Sequence, residues 1–297
     1  AAYAPAISRP LAHPLAIALA SVALLAGCSD DGDNDVAATQ VTTAPATTTT
    51  VATPVLPPAF GQDPQPVVIG HRGAAGHHPD NSLEGFAAAR DLGATWVELD
   101  VRLSADGDVF LSHDPETDAG SVVATTPSAE LAAEGLPTLS EALDVIDAHA
   151  LGVDVEIKAD PTEEAYDPSL GVVDATMAVL QDRAVTGPIV MSSFNRDAID
   201  RVRELTEDAY DTALIAAGIG DAVELRDGLL ETGHDGVVLD YEAADARTVH
   251  TLSTGGLTLW SYTVDNPTTA AALVADGVAG IVTDVPDAIS EALGLLP

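Results

Sequence analysis

His71 and Arg72 stand directly after an apolar run, Val67–Gly70, in the stretch VVIGHRGAAGHHPDNS. Glu98 and Asp100 are two residues apart in TWVELDVRL, and Glu156 and Lys158 are two apart in GVDVEIK. His113 sits near the end of the run VFLSHD. Residues two apart on a strand point to one face, so each pair presents both side chains together. Taken singly, such pairs are commonly ion pairs, and a histidine after a strand is commonly structural. Brought together they are harder to explain that way, because clustered carboxylates repel one another and shift toward protonation unless a cation lies among them. The carboxylates of Glu98, Asp100 and Glu156, with open positions beside them, suit a hard cation, Ca²⁺ or Mg²⁺. Zinc suits them less, because the set contains no Cys. A hard cation beside Arg72 and Lys158 makes an anion site. His71 and His113 can then supply general acid–base chemistry at phosphorus, each contributing on the order of 10²–10⁴ in rate.

The elements that must position these residues are legible from Val67 onward. Strand-like runs occur at 67–70, 95–103, 152–157, 188–194, 212–217, 235–241, 257–264 and 279–284. Amphipathic stretches between them predict helices, for example over 82–92, 140–148, 169–183, 196–205, 243–252 and 267–276. Asn81 or Ser82 can cap the first helix and Gly93 can end it; Asn266 and Pro267 suit the start of the last. Strands alternating with helices favour a parallel sheet covered by helices. Eight such units predict a closed (β/α)₈ TIM barrel, whose active site lies at the C-terminal ends of the strands. The turn Ser104-Ala105-Asp106-Gly107-Asp108 is too short for a parallel crossover. The run VFLSHD should therefore return antiparallel, as a hairpin, with residues 115–138 as a short insertion after it.

Charge restricts the partners. The chain of 297 residues has 11 Lys and Arg against 47 Asp and Glu, a net charge of −36. Phosphate-rich nucleic acid would be repelled. An anionic substrate would need a local positive centre, and Lys158 is the only lysine in the chain. The single cysteine, Cys28, ends an apolar run (LAIALASVALL) in the context LLAGCSDD. That run has signal-peptide length and is too short for a membrane span, and LLAGC resembles a bacterial lipobox. Residues 1–28 are accordingly expected to be a lipoprotein signal, with Cys28 lipidated and anchoring the protein to a membrane outside the cytoplasm. Residues 29–65 are Asp-rich, then Thr/Pro-rich, and predict a disordered tether. Residues 66–297 form the expected folded domain, a monomer.

The folded part resembles the glycerophosphodiester phosphodiesterases, metal-dependent TIM-barrel enzymes. The resemblance rests on HRGAAGHHPDNSLEGFAAARDLGATWVELDVRLSADGDVFLSHDP, with later echoes in LPTLSEALDVI, LGVDVEIK, IVMSSFN and GVAGIVTDVPD. It implies His71 and His113 as the acid–base pair, Glu98, Asp100 and Glu156 as metal ligands, and Arg72 and Lys158 as phosphate contacts. The implied reaction cleaves a glycerophosphodiester to glycerol 3-phosphate and an alcohol. Two departures bear on the site. The family's Pro-Glu-Asn-Thr is here Pro79-Asp80-Asn81-Ser82, which shortens the acidic side chain by one methylene. Its Trp-Thr-Val-Asn is here Tyr262-Thr263-Val264-Asp265, with Trp260 on the same strand face, so Trp260 and Tyr262 are either a substrate-facing aromatic wall or core packing. His77 and His78 read as surface residues. A phospholipase-D-like cleavage of lysolipids or sphingolipids, and a non-catalytic binding lipoprotein, are the alternative functions.

Overall fold

The computed structural model describes residues 55–183 and 185–296. The expected signal segment, Cys28 and most of the expected tether lie outside the described residues. In chain order the strands are β1 (Val67–Gly70), β2 (Trp96–Leu103), β3 (Val109–Leu111), β4 (Gly152–Ile157), β5 (Ile189–Ser193), β6 (Asp211–Ala216), β7 (Gly236–Asp240), β8 (Thr258–Tyr262) and β9 (Gly280–Thr283). All pair in parallel except β3, which returns antiparallel on β2 with Val101 opposite Leu111. The order runs β1-β9-β8-β7-β6-β5-β4-β2-β3, and β1 also pairs with β2. That last pairing closes eight parallel strands into a (β/α)₈ barrel and leaves β3 outside the ring, as the short Asp106-Gly107 turn requires.

Helices α1 (Leu83–Ala89), α3 (Leu139–Ala148), α4 (Gly171–Gln181), α5 (Arg196–Thr206), α7 (Ala246–Ser253) and α8 (Pro267–Asp276) fall where the pattern predicts. Three further helices appear: α2 (Ser128–Glu134) inside the insertion, α6 (Ala222–Glu231) and α9 (Pro286–Ala292). Caps set several of these starts. The Ser82 hydroxyl accepts from the Gly85 N–H, and Thr138 and Glu141 form a reciprocal capping box. Asn81 is not a cap; its side chain turns inward. Helix α1 stops at Ala89, three residues before the predicted end, and a turn closed by Gly93 at φ 92° carries the chain into β2.

Strand alternation separates two environments. On β2, Val97, Leu99 and Val101 face outward and pack with Leu139, Leu143 and Ile146 of α3. Trp96, Glu98, Asp100 and Arg102 take the opposite face. The same split on β4 places Val153, Val155 and Ile157 in the outer core, and Gly152, Asp154 and Glu156 on the other side.

The floor of the barrel is aromatic. Trp260 meets Trp96 edge-on at a centroid distance of 5.2 Å and Phe60 at 4.8 Å. Glycines make the room: a Cβ on Gly152 would lie 2.4 Å from the Trp96 ring, and one on Gly280 would lie 2.4 Å from Trp260. Two expectations are corrected here. Trp260 is 1% exposed and belongs to this floor, not to a substrate-facing wall. Phe60 is buried against it, so packed structure extends N-terminally of residue 66, into the segment expected to be tether.

Candidate active site

The carboxylates expected to converge do so. Oxygen atoms of Glu98, Asp100 and Glu156, all buried, lie within 4.8 Å of one another. Adjacent parallel strands set this, because Asp100 of β2 pairs in register with Glu156 of β4. Lys158 Nζ lies 2.5 Å from Glu156 Oε1 and 2.9 Å from Asp100 Oδ1. The second contact is an ion pair out of line for a hydrogen bond, so Asp100 Oδ1, like Glu98 Oε1, is a buried oxygen with no aligned donor. Lys158 offsets part of that cost for Asp100 Oδ1, but among the described residues Glu98 Oε1 has no cation beside it, and an unpaired buried oxygen of this kind is costly unless a cation meets it. The donor set is all carboxylate oxygen, which fits a hard divalent ion.

Electrostatics point the same way. Burial, reinforced by Asp100 and Glu156, pushes Glu98 well above the ordinary carboxylate range. Burial also raises Glu156, even beside Lys158. Asp100 behaves oppositely: burial disfavours its charge, but the Lys158 ammonium, the Asn81 amide and Arg72 outweigh it and hold the carboxyl at about 2. A fourth buried carboxylate, Asp154, shares this side of β4, accepts a hydrogen bond from the Ser192 hydroxyl at 2.6 Å and is pushed by burial to about 7.

Asn81 explains much of Asp100's placement. Its amide Nδ2 donates to Asp100 Oδ2 at 2.8 Å, and its Oδ1 accepts from the Asp100 backbone N–H at 3.1 Å. Beside Asp100, β1 has already ended, so a side chain takes the place of the missing ladder bond. Arg72 is held in the left-handed region at φ 49°, and its backbone N–H donates to Glu98 Oε2 at 2.7 Å. Such strain in a non-glycine residue persists where surrounding contacts hold it. The Arg72 guanidinium bonds Asp80 at 2.5 Å, so the shorter acidic side chain still reaches it.

The two histidines differ in support. His71 Nδ1 lies 2.6 Å from Asp284 Oδ1, just beyond the end of β9. The Asp284 backbone N–H and the Thr283 hydroxyl both donate to Asp265 Oδ1, at 2.9 Å each. Asp265 is thus a brace for the residue that holds His71. His113 Nδ1 lies 2.7 Å from the exposed Asp114. Partial burial, with Lys158 nearby, lowers the His113 pKa. His71, Arg72, Glu98, His113, Glu156 and Lys158 line one cavity of about 130 Å³ at the barrel mouth. Phe194 and Tyr262 line it too, and meet edge-on at 6.0 Å. Tyr262 therefore stands where expected, and Phe194, at the end of β5, takes the place given to Trp260. His77 pairs with Asp287 at the surface.

A (β/α)₈ barrel with histidines, fixed cations and buried carboxylates at its mouth suits hydrolysis of anionic esters. The glycerophosphoryl diester phosphodiesterase family model matches residues 71–288, and the chain belongs to that family; it is a phosphoric diester hydrolase. The glycerophosphodiester phosphodiesterase of Bacillus subtilis is 26% identical over 249 residues, covering 74% of this chain and 84% of that one. The enzyme of the same name from Caldanaerobacter subterraneus subsp. tengcongensis is 25% identical over 247 residues, covering 75% of this chain and 96% of that one. Among solved structures, an Oleispira antarctica phosphodiesterase in complex with the product sn-glycerol-3-phosphate aligns with a TM-score of 0.69 at 25% identity. That alignment covers 77% of this chain and 97% of the other.

Proposed function

We propose that the protein hydrolyses glycerophosphodiesters to glycerol 3-phosphate and an alcohol, with His71 and His113 exchanging the protons. The observation that carries this reading is the buried Glu98–Asp100–Glu156 cluster, of which Glu98 and Glu156 line one cavity with both histidines. These three carboxylates would hold Ca²⁺ or Mg²⁺, which supplies Lewis-acid stabilisation of charge on phosphate oxygens. The chain's own residues do the rest. Arg72 and Lys158 bind and orient the diester. One histidine removes the proton from the glycerol hydroxyl next to the ester, and that oxygen attacks phosphorus. The other protonates the leaving alcohol, and water then opens the cyclic phosphate. Asp284 fixes the His71 tautomer by accepting from Nδ1, which leaves Nε2 directed at the reaction. Phe194 and Tyr262 form an apolar wall that excludes water from one side of the substrate.

Membrane attachment through a lipidated Cys28 on the extracytoplasmic face, by a monomer, is the setting the sequence supports. No helix among the described residues is long and apolar enough to cross a membrane.

The test is release of glycerol 3-phosphate from glycerophosphocholine by the purified chain, with Ca²⁺, with Mg²⁺ and with chelator. Metal-dependent release supports the reading. A folded sample inert with both ions, but active on lysolipid, would replace it with the phospholipase-D-like alternative.

A further inference from the structure

Arg102 is the third member of a row. Glu98, Asp100 and Arg102 are spaced by two on β2 and share one strand face. The first two enter the carboxylate cluster. Arg102 stands one step nearer the mouth, and its side chain is 9% exposed. Four of its five guanidinium N–H donors are engaged on two loops. Nε and Nη2 donate to the His113 carbonyl at 3.1 and 2.7 Å. Nη1 and Nη2 donate to Glu163 Oε2 and Oε1 at 2.7 and 2.8 Å. Glu163 belongs to the loop that follows Lys158, between β4 and α4.

The flanking backbone is tied down, with the Ser112 N–H donating to the Asp100 carbonyl at 3.1 Å and the Ser112 hydroxyl to the Asp114 carbonyl at 2.8 Å, but the His113 carbonyl itself is held by Arg102. Among the described residues, β3, which His113 follows, is the one strand outside the barrel ring, and the His113 imidazole is tied only to the neighbouring, exposed Asp114. Behind the clamp lies a cavity of about 350 Å³, lined by Arg102, Pro115, Val123, Glu163 and Tyr166 among others. The His113 loop therefore has room to shift if its carbonyl is released. A planar fork with several donors suits the task and a lysine does not, because a point ammonium cannot bond both the carbonyl and a bidentate carboxylate in one plane.

We infer that Arg102, oriented by Glu163, is a positioning residue for catalysis: it sets where the His113 imidazole stands and couples that loop to the one carrying Lys158. This rests on the acid–base reading of His113 proposed above.

The experiment is a double-mutant cycle of Arg102→Lys with His113→Gln. It is read on glycerophosphocholine and on a glycerophosphodiester with a p-nitrophenolate leaving group, which keeps slow rates measurable, together with Ca²⁺ affinity by calorimetry. Arg102→Lys is expected to lower kcat about tenfold or more, with KM and Ca²⁺ affinity within about twofold of the parent. Added to His113→Gln it should cost no more than about a further twofold, since it acts through that residue. Glu163→Gln, which keeps one acceptor oxygen for Arg102, should show a smaller loss of the same kind. The inference is overturned if Arg102→Lys stays within about twofold of the parent kcat, or if its loss is undiminished in the His113→Gln background. A folded His113→Gln enzyme that turns over both substrates normally would instead bring down the acid–base reading, and the clamp with it.

Discussion

Asp284 Oδ1 lies 2.6 Å from His71 Nδ1, although 213 residues separate them in the chain. Barrel closure makes the contact, because β9 and β1 are neighbours and Gly70 pairs with Thr283. The hydrogen bond from His71 holds Asp284 below the ordinary carboxylate range, so the acceptor is charged at neutral pH. A charged acceptor on Nδ1 fixes the imidazole tautomer and supports the imidazolium when it forms. Asp284→Asn is expected to lower kcat by on the order of 10²–10⁴. Metal affinity should hold, because Asp284 bonds His71 and is not one of the three clustered carboxylates. Steady-state kinetics beside calorimetric Ca²⁺ titration would check both parts.

Asn81 acts on the proposed metal site through Asp100, bonding both its backbone and its carboxylate. Asn81→Ala should weaken Ca²⁺ or Mg²⁺ binding by about 10–100-fold, the usual effect of removing a partner of a metal ligand. The same substitution should leave kcat at saturating metal less affected than metal affinity. Titrating activity against free metal ion separates the two.

Asp154 gives a pH dependence with a definite sign. Its carboxyl is raised by burial to about 7 in the folded protein, against 3.8 in the ordinary case. The folded state thus holds a proton that the unfolded chain releases. Asp154's contribution to stability is present below its unfolded value and is lost as pH rises through about 7. Asp154→Asn keeps an oxygen for the Ser192 hydroxyl and removes the charge. In chelator, the variant should gain melting temperature over the parent at about pH 8 and show little difference at about pH 4. Calorimetric scans at the two pH values would decide it; equal shifts at both would contradict the account.

Phe60 is buried against Trp260 although it precedes β1. Phe60→Ala should destabilise the fold by about 3–5 kcal/mol, the range for a buried aromatic truncated to Ala. Turnover by the remaining folded enzyme should be unchanged, because the floor lies at the opposite end of the barrel from the mouth. Urea unfolding and kcat measured on the same samples would test this. A fragment beginning at Gln65 should show the same loss.

Much of this was legible in sequence because the barrel repeats two simple periods. Period-two spacing put Glu98 with Asp100, and the short Asp106-Gly107 turn required the antiparallel β3. The same spacing, read one step further in each direction, reaches Asp154 and Arg102; their pairing with Ser192 and with the His113 carbonyl is tertiary and has no local signal. Asp284 directly follows β9, at the end of the barrel where active sites lie, but its partner is visible only once the ring is closed. Trp260 shows a different limit. Its face follows from alternation with Tyr262, but depth does not: two residues at about 3.3 Å each move a side chain some 7 Å down the barrel, from mouth to floor. Phe60 sits in a Pro-rich stretch without periodicity, so nothing local marks it as buried.

The most direct test of the account compares His113→Ala and Glu98→Gln for both turnover of glycerophosphocholine and calorimetric Ca²⁺ and Mg²⁺ affinity. Separable losses are expected. His113→Ala should bind metal as the parent does and lose turnover by on the order of 10² or more. Glu98→Gln should lose metal affinity, and with it activity at limiting metal. A His113→Ala enzyme with near-parent rates, or a Glu98→Gln enzyme that binds metal unchanged, would contradict the two-histidine, three-carboxylate site.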